Sequence, residues 1–528
     1  MSKKRPQHMI MKSFSFSLVS LLSLISFAVY ACCSADFSRH DFPAGFVFGA
    51  GSSAYQVEGA AKEGGRTPSI WDTFADAGFS PGGNGDISAD QYHRYKEDVQ
   101  LMLDLGIDAY RLSISWSRLI PNGRGAVNPV GLNYYNNLID QLTANGIEPH
   151  VTLHHSDLPQ CLEDEYGGWL DRRIIEDFTA YANVCFHHFG DRVTHWTTLN
   201  EANVFTVGGY DEGVLPPQHC SHGFRISCRR GNSSVEPYLV AHNMLLAHGS
   251  VAKLYRQKYQ GNQHGEVGIN LFGFSFYPAT DATEDEKATQ IANDFLLGWF
   301  MHPLVFGDYP SSMKETVGVR LPSFTQNEAR MVEGSAAFVG LNHYFAVAVK
   351  SKSSGEKAEI EDVLGDIGVE MDLLPAKGMG LVNEFQYPIE PWGLQKLLQL
   401  FKLSYGNIPV YIHENGQTMS RNISRSMALN DEARVEYMKG FIGGTLDAIR
   451  NGSNTKGYFY WSFLDMIELL DGYRYGFGLY YLDLEDPNLV RYPKLSAYWY
   501  SNFLKGAGTI HLNTDELVKP GAHHAHYS

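Results

Sequence analysis

Two glutamates stand where strand-like runs end. Residues 409–417 read PVYIHENGQ, an apolar run closed by a carboxylate, Glu414, and then by the turn-forming pair Asn415-Gly416. Residues 197–205, TTLNEANVF, place Glu201 in the same way. Either glutamate alone reads equally well as a solvated residue at the tip of a strand. Two carboxylates raised over one site are what breaking a glycosidic bond requires. One supplies a proton to the departing oxygen, and the other meets the positive charge that develops at the sugar carbon.

Such a pair needs a scaffold that brings distant strand ends to one rim. Eight strand-like runs recur along the chain, at 45–54, 108–119, 148–155, 193–201, 266–276, 337–345, 409–416 and 456–465. Between them lie stretches with apolar residues at spacings of three and four, such as 91–106, 171–190 and 431–450, which predict helices. Near-continuously apolar strands alternating with helices predict parallel strands covered on the outside, and eight such units predict a (β/α)8 barrel of the α/β class. The alternative is an open doubly wound sheet, but no G-x-G-x-x-G follows the first strand. In a barrel the reactive residues sit at the carboxyl ends of the strands, where Glu201 closes the fourth and Glu414 the seventh. The segments 203–234, 303–335 and 350–390 are too long for simple connections and are expected to shape the site.

The 528 residues are 44% hydrophobic and 19% charged, as expected of a globular chain with a large core. The net charge of −16, with Lys and Arg scattered, repels a phosphate backbone and argues against nucleic acid. Thirty Tyr, 30 Phe and 8 Trp supply rings for core packing and for the apolar faces of small molecules. Residues 1–35 pass from a basic start through an apolar, Ser-rich run to small residues, which predicts a secretory signal cleaved after Ala35, with a signal anchor as the alternative that the short, Ser-interrupted run disfavours. No other segment is apolar enough to span a bilayer, so no membrane association is expected once the signal is removed. A single barrel domain over 36–510 and a polar tail over 511–528 complete the expected organisation.

Export fits the cysteines. Four remain after the signal: Cys220 and Cys228 in a polar loop suit a short disulfide, while Cys161 and Cys185, in apolar helical contexts, are expected as buried thiols. No second pair has zinc-ligand spacing, and H-E-N is not H-E-x-x-H, so no metal is read. Sequons at Asn232, Asn422 and Asn451 fit glycosylation, and the carboxyl end carries neither an endoplasmic retention nor a peroxisomal signal.

From about Phe42 to Leu504 the chain resembles the family 1 glycoside hydrolases, specifically the plant β-glucosidase group. The family motif T-x-N-E-P matches Thr198-Leu199-Asn200-Glu201, with Ala202 in place of Pro, and [I/V]-x-E-N-G matches Ile412 to Gly416 in full. The resemblance implies Glu201 as general acid and base and Glu414 as nucleophile of a retaining double displacement, with carboxyl groups roughly 5 Å apart. It also implies a glucose pocket. Gln56 would bond two adjacent hydroxyls, and Asn200 would hold the 2-hydroxyl. His155 fills the family's His position between His154 and Ser156, which replace the usual aromatic and Trp. Arg111 and Tyr344 would keep Glu414 ionised and oriented. Trp461 would floor the glucose, Glu468 would take its 4- and 6-hydroxyls, and Phe477 would close the wall. Leu469 stands where most members have Trp.

The expected activity is hydrolysis of β-D-glucosides of small plant metabolites, without cofactor, by a secreted, apoplastic or vacuolar enzyme. An acyl-glucose-dependent transglucosidase and a hydroxyisourate hydrolase-type enzyme are the alternatives on the same scaffold. A non-catalytic glucoside-binding protein is the alternative from another class, against which both intact glutamates argue. The aglycone and the oligomeric state are not legible.

Overall fold

The computed structural model describes residues 37–80, 82–222, 228–352, 361–371 and 386–506. The expected signal and tail lie outside the described residues. Residues 37–42 belong to a short unit of their own, in which a turn of 3-10 helix, Arg39–Asp41, is capped as the Asp41 carboxylate accepts from the backbone N–H and hydroxyl of Ser38.

In the unit that starts at Pro43, eight parallel strands run in chain order around a closed barrel. They are β1 (Val47–Gly51), β2 (Ala109–Ser113), β3 (Glu148–His154), β4 (His195–Leu199), β5 (Glu266–Phe272), β6 (Val339–Asn342), β7 (Val410–Asn415) and β8 (Thr455–Trp461), each inside the run expected for it or within one residue of it. The strands are buried almost throughout, which is why they read as continuous apolar runs rather than alternating ones.

Helices alternate with the strands: α1 (Gln91–Leu105), α2 (Pro129–Ala144), α3 (Arg173–Phe189), α4 (Glu236–Lys258), α5 (Pro391–Ser404), α6 (Glu432–Arg450) and α7 (Leu495–Leu504). α2 starts where it does because Asn128 caps it, accepting from the Val130 N–H, and Pro129 takes the first helical position. α3 buries Ile174, Phe178, Tyr181, Ala182, Cys185, Phe186 and Phe189, a stripe at helical spacing. Tyr181 stacks on Trp116 with centroids 4.6 Å apart, and its hydroxyl reaches the carbonyl oxygens of Ile114 and Leu153.

The long segments carry more regular structure than expected. Helices Ser311–Val317 and Gln326–Val332 occupy much of 303–335, and in 350–390 the strand Val369–Met371 pairs antiparallel with Val347–Ser351. Residues 353–360 and 372–385 of the latter lie outside the described residues.

Aromatic and histidine side chains fill the lower barrel. Ala109, Phe338, Tyr411 and Phe459 form one buried cluster with Val47 against it. His413 meets Phe459 edge to face at 5.5 Å. Gly340 of β6 lies beside His413, and a Cβ there would collide with its Nδ1. Among the described residues neither buried ring nitrogen of His413 has a hydrogen-bond partner, and burial together with Arg111 and His195 holds its pKa well below the usual histidine range. The imidazole therefore packs as a neutral wedge.

Candidate active site

The E-N-G sequence at the tip of β7 has a structural reason for each residue. The register of β7 shifts between Ile412 and Glu414 against β6 and between Ile412 and Asn415 against β8, a bulge that re-aims the carboxylate at the strand end. Asn415 pins the bulge: its Nδ2 donates to the carbonyl of His343 at 2.6 Å and to Tyr437 at 2.9 Å, and its Oδ1 accepts from Tyr458 at 2.7 Å. Gly416 passes so close to the carbonyl of Trp461 that no Cβ fits.

Glu201 ends β4 differently. It lies in the left-handed region, φ 44° and ψ 47°, as the chain turns into the helix Ala202–Tyr210. A residue with a Cβ adopts that conformation at some cost, so its surroundings must hold it there. The side chain of Asn270 on β5 does so, its Oδ1 accepting from the Glu201 N–H at 3.0 Å.

An unbroken chain of hydrogen bonds joins the two carboxylates. Arg111 of β2 donates from Nη1 to Glu414 Oε1 at 2.6 Å and from Nη2 to Asn200 Oδ1 at 2.5 Å. Asn342, at the end of β6, donates from Nδ2 to the same Asn200 oxygen at 3.3 Å and to Glu201 Oε1 at 2.7 Å. Tyr344 donates to Glu414 Oε2 at 2.8 Å. Glu414 is thus buried with both oxygens accepting, one of them from a guanidinium, which is an environment for a carboxylate anion. Glu201 is raised to about 8, first because it is withdrawn from water and next because the negative charge of Glu414 is near, while Asn342 and Arg111 oppose the rise. One carboxyl is held by a guanidinium and a phenol, and the other is raised toward its protonated form.

The remaining residues expected at the site surround this pair. The rings of Trp461 and His155 stack nearly parallel with centroids 5.8 Å apart, and His155 Nε2 lies 3.3 Å from Asn200 Nδ2. Burial, with Arg111 and His154 near, keeps His155 neutral. Gln56 donates to the carbonyl of Ile467 at 2.8 Å and accepts from the Ser53 hydroxyl at 2.8 Å, so both functions of its amide already have partners before any sugar arrives. Its Nε2 also lies 3.5 Å from Glu468 Oε2, whereas Glu468 Oε1 is buried without a partner among the described residues. Burial raises the Glu468 pKa well above the usual range, with Asp465, Asp471 and Glu414 adding to the rise. Phe477 packs edge-on against Tyr344 at 6.0 Å. Leu469 is half-buried and rests on the aromatic cluster of Tyr55, Trp71 and Phe74.

Sequence reasoning missed Asn342, Asn270 and Tyr387. Asn342 lies two residues before Tyr344 on a strand that was read for its tyrosine alone. Asn270 sits inside an apolar run and carries no local signal. Tyr387 comes from the long 350–390 segment and packs against Tyr344 at 5.4 Å and Phe345 at 5.4 Å.

Away from the site, Cys220 and Cys228 form the expected disulfide. Cys185 is buried as expected, but Cys161 is only half-buried, because it lies in the first turn of the short helix Gln160–Tyr166 and not in a packed stripe. Asn232, Asn422 and Asn451 are all exposed. Among the described residues one trio of metal-ligand type, Glu148, His150 and His195, gathers at the other end of the barrel. The rings of His150 and His195 lie parallel, 4.2 Å apart, so their in-plane lone pairs run side by side instead of converging on an ion.

The chain resembles known proteins over nearly its whole length. It is 53% identical to beta-glucosidase 11 of Arabidopsis thaliana over 525 residues, covering 95% of this chain and 99% of that one. It is 51% identical to a hydroxyisourate hydrolase of Glycine max, covering 95% and 88%. Among solved structures, a rice Os3BGlu6 beta-glucosidase mutant in a covalent complex with Glc from GA4GE superimposes with a TM-score of 0.85 at 46% identity, covering 89% of this chain and all of that one. The model of glycosyl hydrolase family 1 matches residues 38–509, a span that takes in all eight barrel strands, and the chain belongs to that family.

Proposed function

We propose that the chain is a retaining β-glucosidase in which Glu414 is the nucleophile and Glu201 the acid and base. The observation that carries this reading is the hydrogen-bond chain Glu201–Asn342–Asn200–Arg111–Glu414, which holds the two motif carboxyls over one site. In the first step Glu414 attacks the anomeric carbon as Glu201 protonates the departing oxygen. In the second, Glu201, now ionised, takes a proton from water, and the oxygen so activated displaces Glu414. Two inversions return the β-anomer. Hydrolysis of an aryl β-D-glucoside followed by NMR should yield β-glucose as the first product; α-glucose appearing first would overturn the mechanism.

The glucosyl ester on Glu414 accepts any hydroxyl that Glu201 can deprotonate, so a second acceptor can compete with water. Incubation with an aryl glucoside and with a feruloyl-type glucose ester, each with and without a flavonoid, separates hydrolysis from transfer. Free glucose as the main product supports hydrolysis; flavonoid glucoside formed chiefly from the ester would favour a transglucosidase.

Leu469 bears on affinity. It presents a branched aliphatic surface over Tyr55, Trp71 and Phe74 and no indole N–H or ring edge. Leu469→Trp adds apolar contact and a donor, and should lower KM for aryl glucosides by about fivefold, the equivalent of about 1 kcal/mol, with little change in kcat. Steady-state kinetics on one aryl glucoside checks this, and an unchanged or raised KM would place Leu469 outside the glucose pocket.

Residues 1–35 and the three exposed sequons support export as a glycoprotein to the apoplast or vacuole. The sequence of the mature amino terminus and the mass lost on deglycosylation test that reading.

A further inference from the structure

We propose that Asn270 is a positioning residue that fixes which oxygen of Glu201 carries the catalytic proton. The proposal rests on the assignment of Glu201 as acid and base.

Two donors that cannot act as acceptors anchor the network. The backbone N–H of Glu201 faces Asn270 at 3.0 Å, so the Asn270 atom that meets it is the amide oxygen. Asn270 therefore turns its nitrogen to Asn342 at 2.6 Å, and Asn342 must answer with its oxygen. Asn342 then has only its nitrogen left for Glu201 Oε1 at 2.7 Å and Asn200 Oδ1 at 3.3 Å. At the far end, Arg111 can only donate, which independently makes the Asn200 atom an oxygen. The orientations of three amides are thus set from both ends, and none can flip without placing two donors or two acceptors face to face.

The chemical consequence falls on Glu201. Its Oε1 always receives a hydrogen bond from Asn342 and cannot hold a proton directed at that donor. With one lone pair of Oε1 taken by Asn342, the proton that leaves with the aglycone oxygen, and the one later taken from water, is directed to Oε2. Asn270 also holds the left-handed backbone from which the side chain springs. It touches no reacting atom in this arrangement. It is fully buried, on β5, which contributes no other residue to the hydrogen-bond chain between the two carboxyls.

Asn270→Asp keeps an acceptor for the Glu201 N–H but removes the donor to Asn342, so the Asn342 amide loses its fixed orientation. Asn270→Ala removes both bonds. Each variant should be compared with wild type and with Glu201→Gln on β-glucosides of phenols whose leaving-group pKa runs from about 4 to about 10, alongside thermal unfolding. Loss of acid assistance harms poor leaving groups and spares good ones. The proposal expects both Asn270 variants to lose about tenfold or more in kcat/KM on phenyl β-glucoside and less than about threefold on dinitrophenyl β-glucoside, with folding cooperative. A merely structural role would lower both substrates in parallel, and that result, or wild-type values on both, would overturn it. Glu201→Gln separates the layers. If it shows the leaving-group dependence and the Asn270 variants do not, Asn270 has no positioning role; if it shows none, the assignment of Glu201 falls and the proposal with it.

Discussion

Glu414→Gln should abolish turnover and leave the fold intact. The amide can occupy the same place: its oxygen can accept from Arg111 as Oε1 does now, and its NH2 can donate to the Tyr344 oxygen, so neither buried partner is stranded. What it cannot do is offer an anionic oxygen to the anomeric carbon and leave again as a carboxylate. The expected loss in kcat is about a thousandfold or more, because removing a covalent nucleophile removes the pathway and not one contribution to it. Circular dichroism and thermal unfolding should match wild type. A 2-deoxy-2-fluoroglucoside inactivator should add a fluoroglucosyl group to the wild-type peptide that contains Glu414 and to no peptide of the variant. A variant that keeps a tenth of wild-type kcat would remove Glu414 from the nucleophile's role.

The second large effect belongs to Glu201→Gln, and it is read in pH. The wild-type first step needs Glu201 protonated and Glu414 ionised. With Glu201 at about 8, its protonated form persists through neutrality and is lost as pH rises through that value, so the rate should fall on the alkaline side. On the acid side the rate falls as the pair takes up its second proton, and the two limbs belong to the coupled pair rather than to single residues. Glutamine has no proton to lose. The variant should lose about 10² to 10⁴ in kcat/KM on substrates with poor leaving groups, and its alkaline limb should vanish. Profiles from mildly acid pH to about pH 9 check this, and wild-type activity that climbs steadily to the end of the range would contradict the acid role.

The barrel was legible in the sequence because each strand is buried on both faces while helices such as α1, α2 and α3 are buried on one, so the two periods stand out. The glutamates were legible because they interrupt apolar runs at strand ends. Asn270 was not, since a single amide inside the run Ile269-Asn270-Leu271 looks like any satisfied polar residue, and its worth lies in partners on β4 and β6. The bulge in β7 was equally hidden: E-N-G announces a turn, but only pairing with β6 and β8 reveals that the register slips before it. The full set of hydrogen bonds of Gln56 could not be foreseen either, because Ser53 lies only three residues away but Ile467 is brought to it from the far end of the chain. The helices within 303–335 were lost in a segment read for its length, because its apolar residues come in short turns without a long stripe.

Gly340 and His413 divide one small volume between two strands, and that sets an order on how the pair could ever change. A side chain cannot enter at 340 while the imidazole stands at 413. The imidazole, which makes no hydrogen bond among the described residues, can give way to something smaller while 340 remains glycine. A change at 340 first is therefore blocked, whereas after a change at 413 only the Asn270 amide, 3.0 Å from a Cβ at 340, still has to give way, so the two sites are coupled by history as well as by contact.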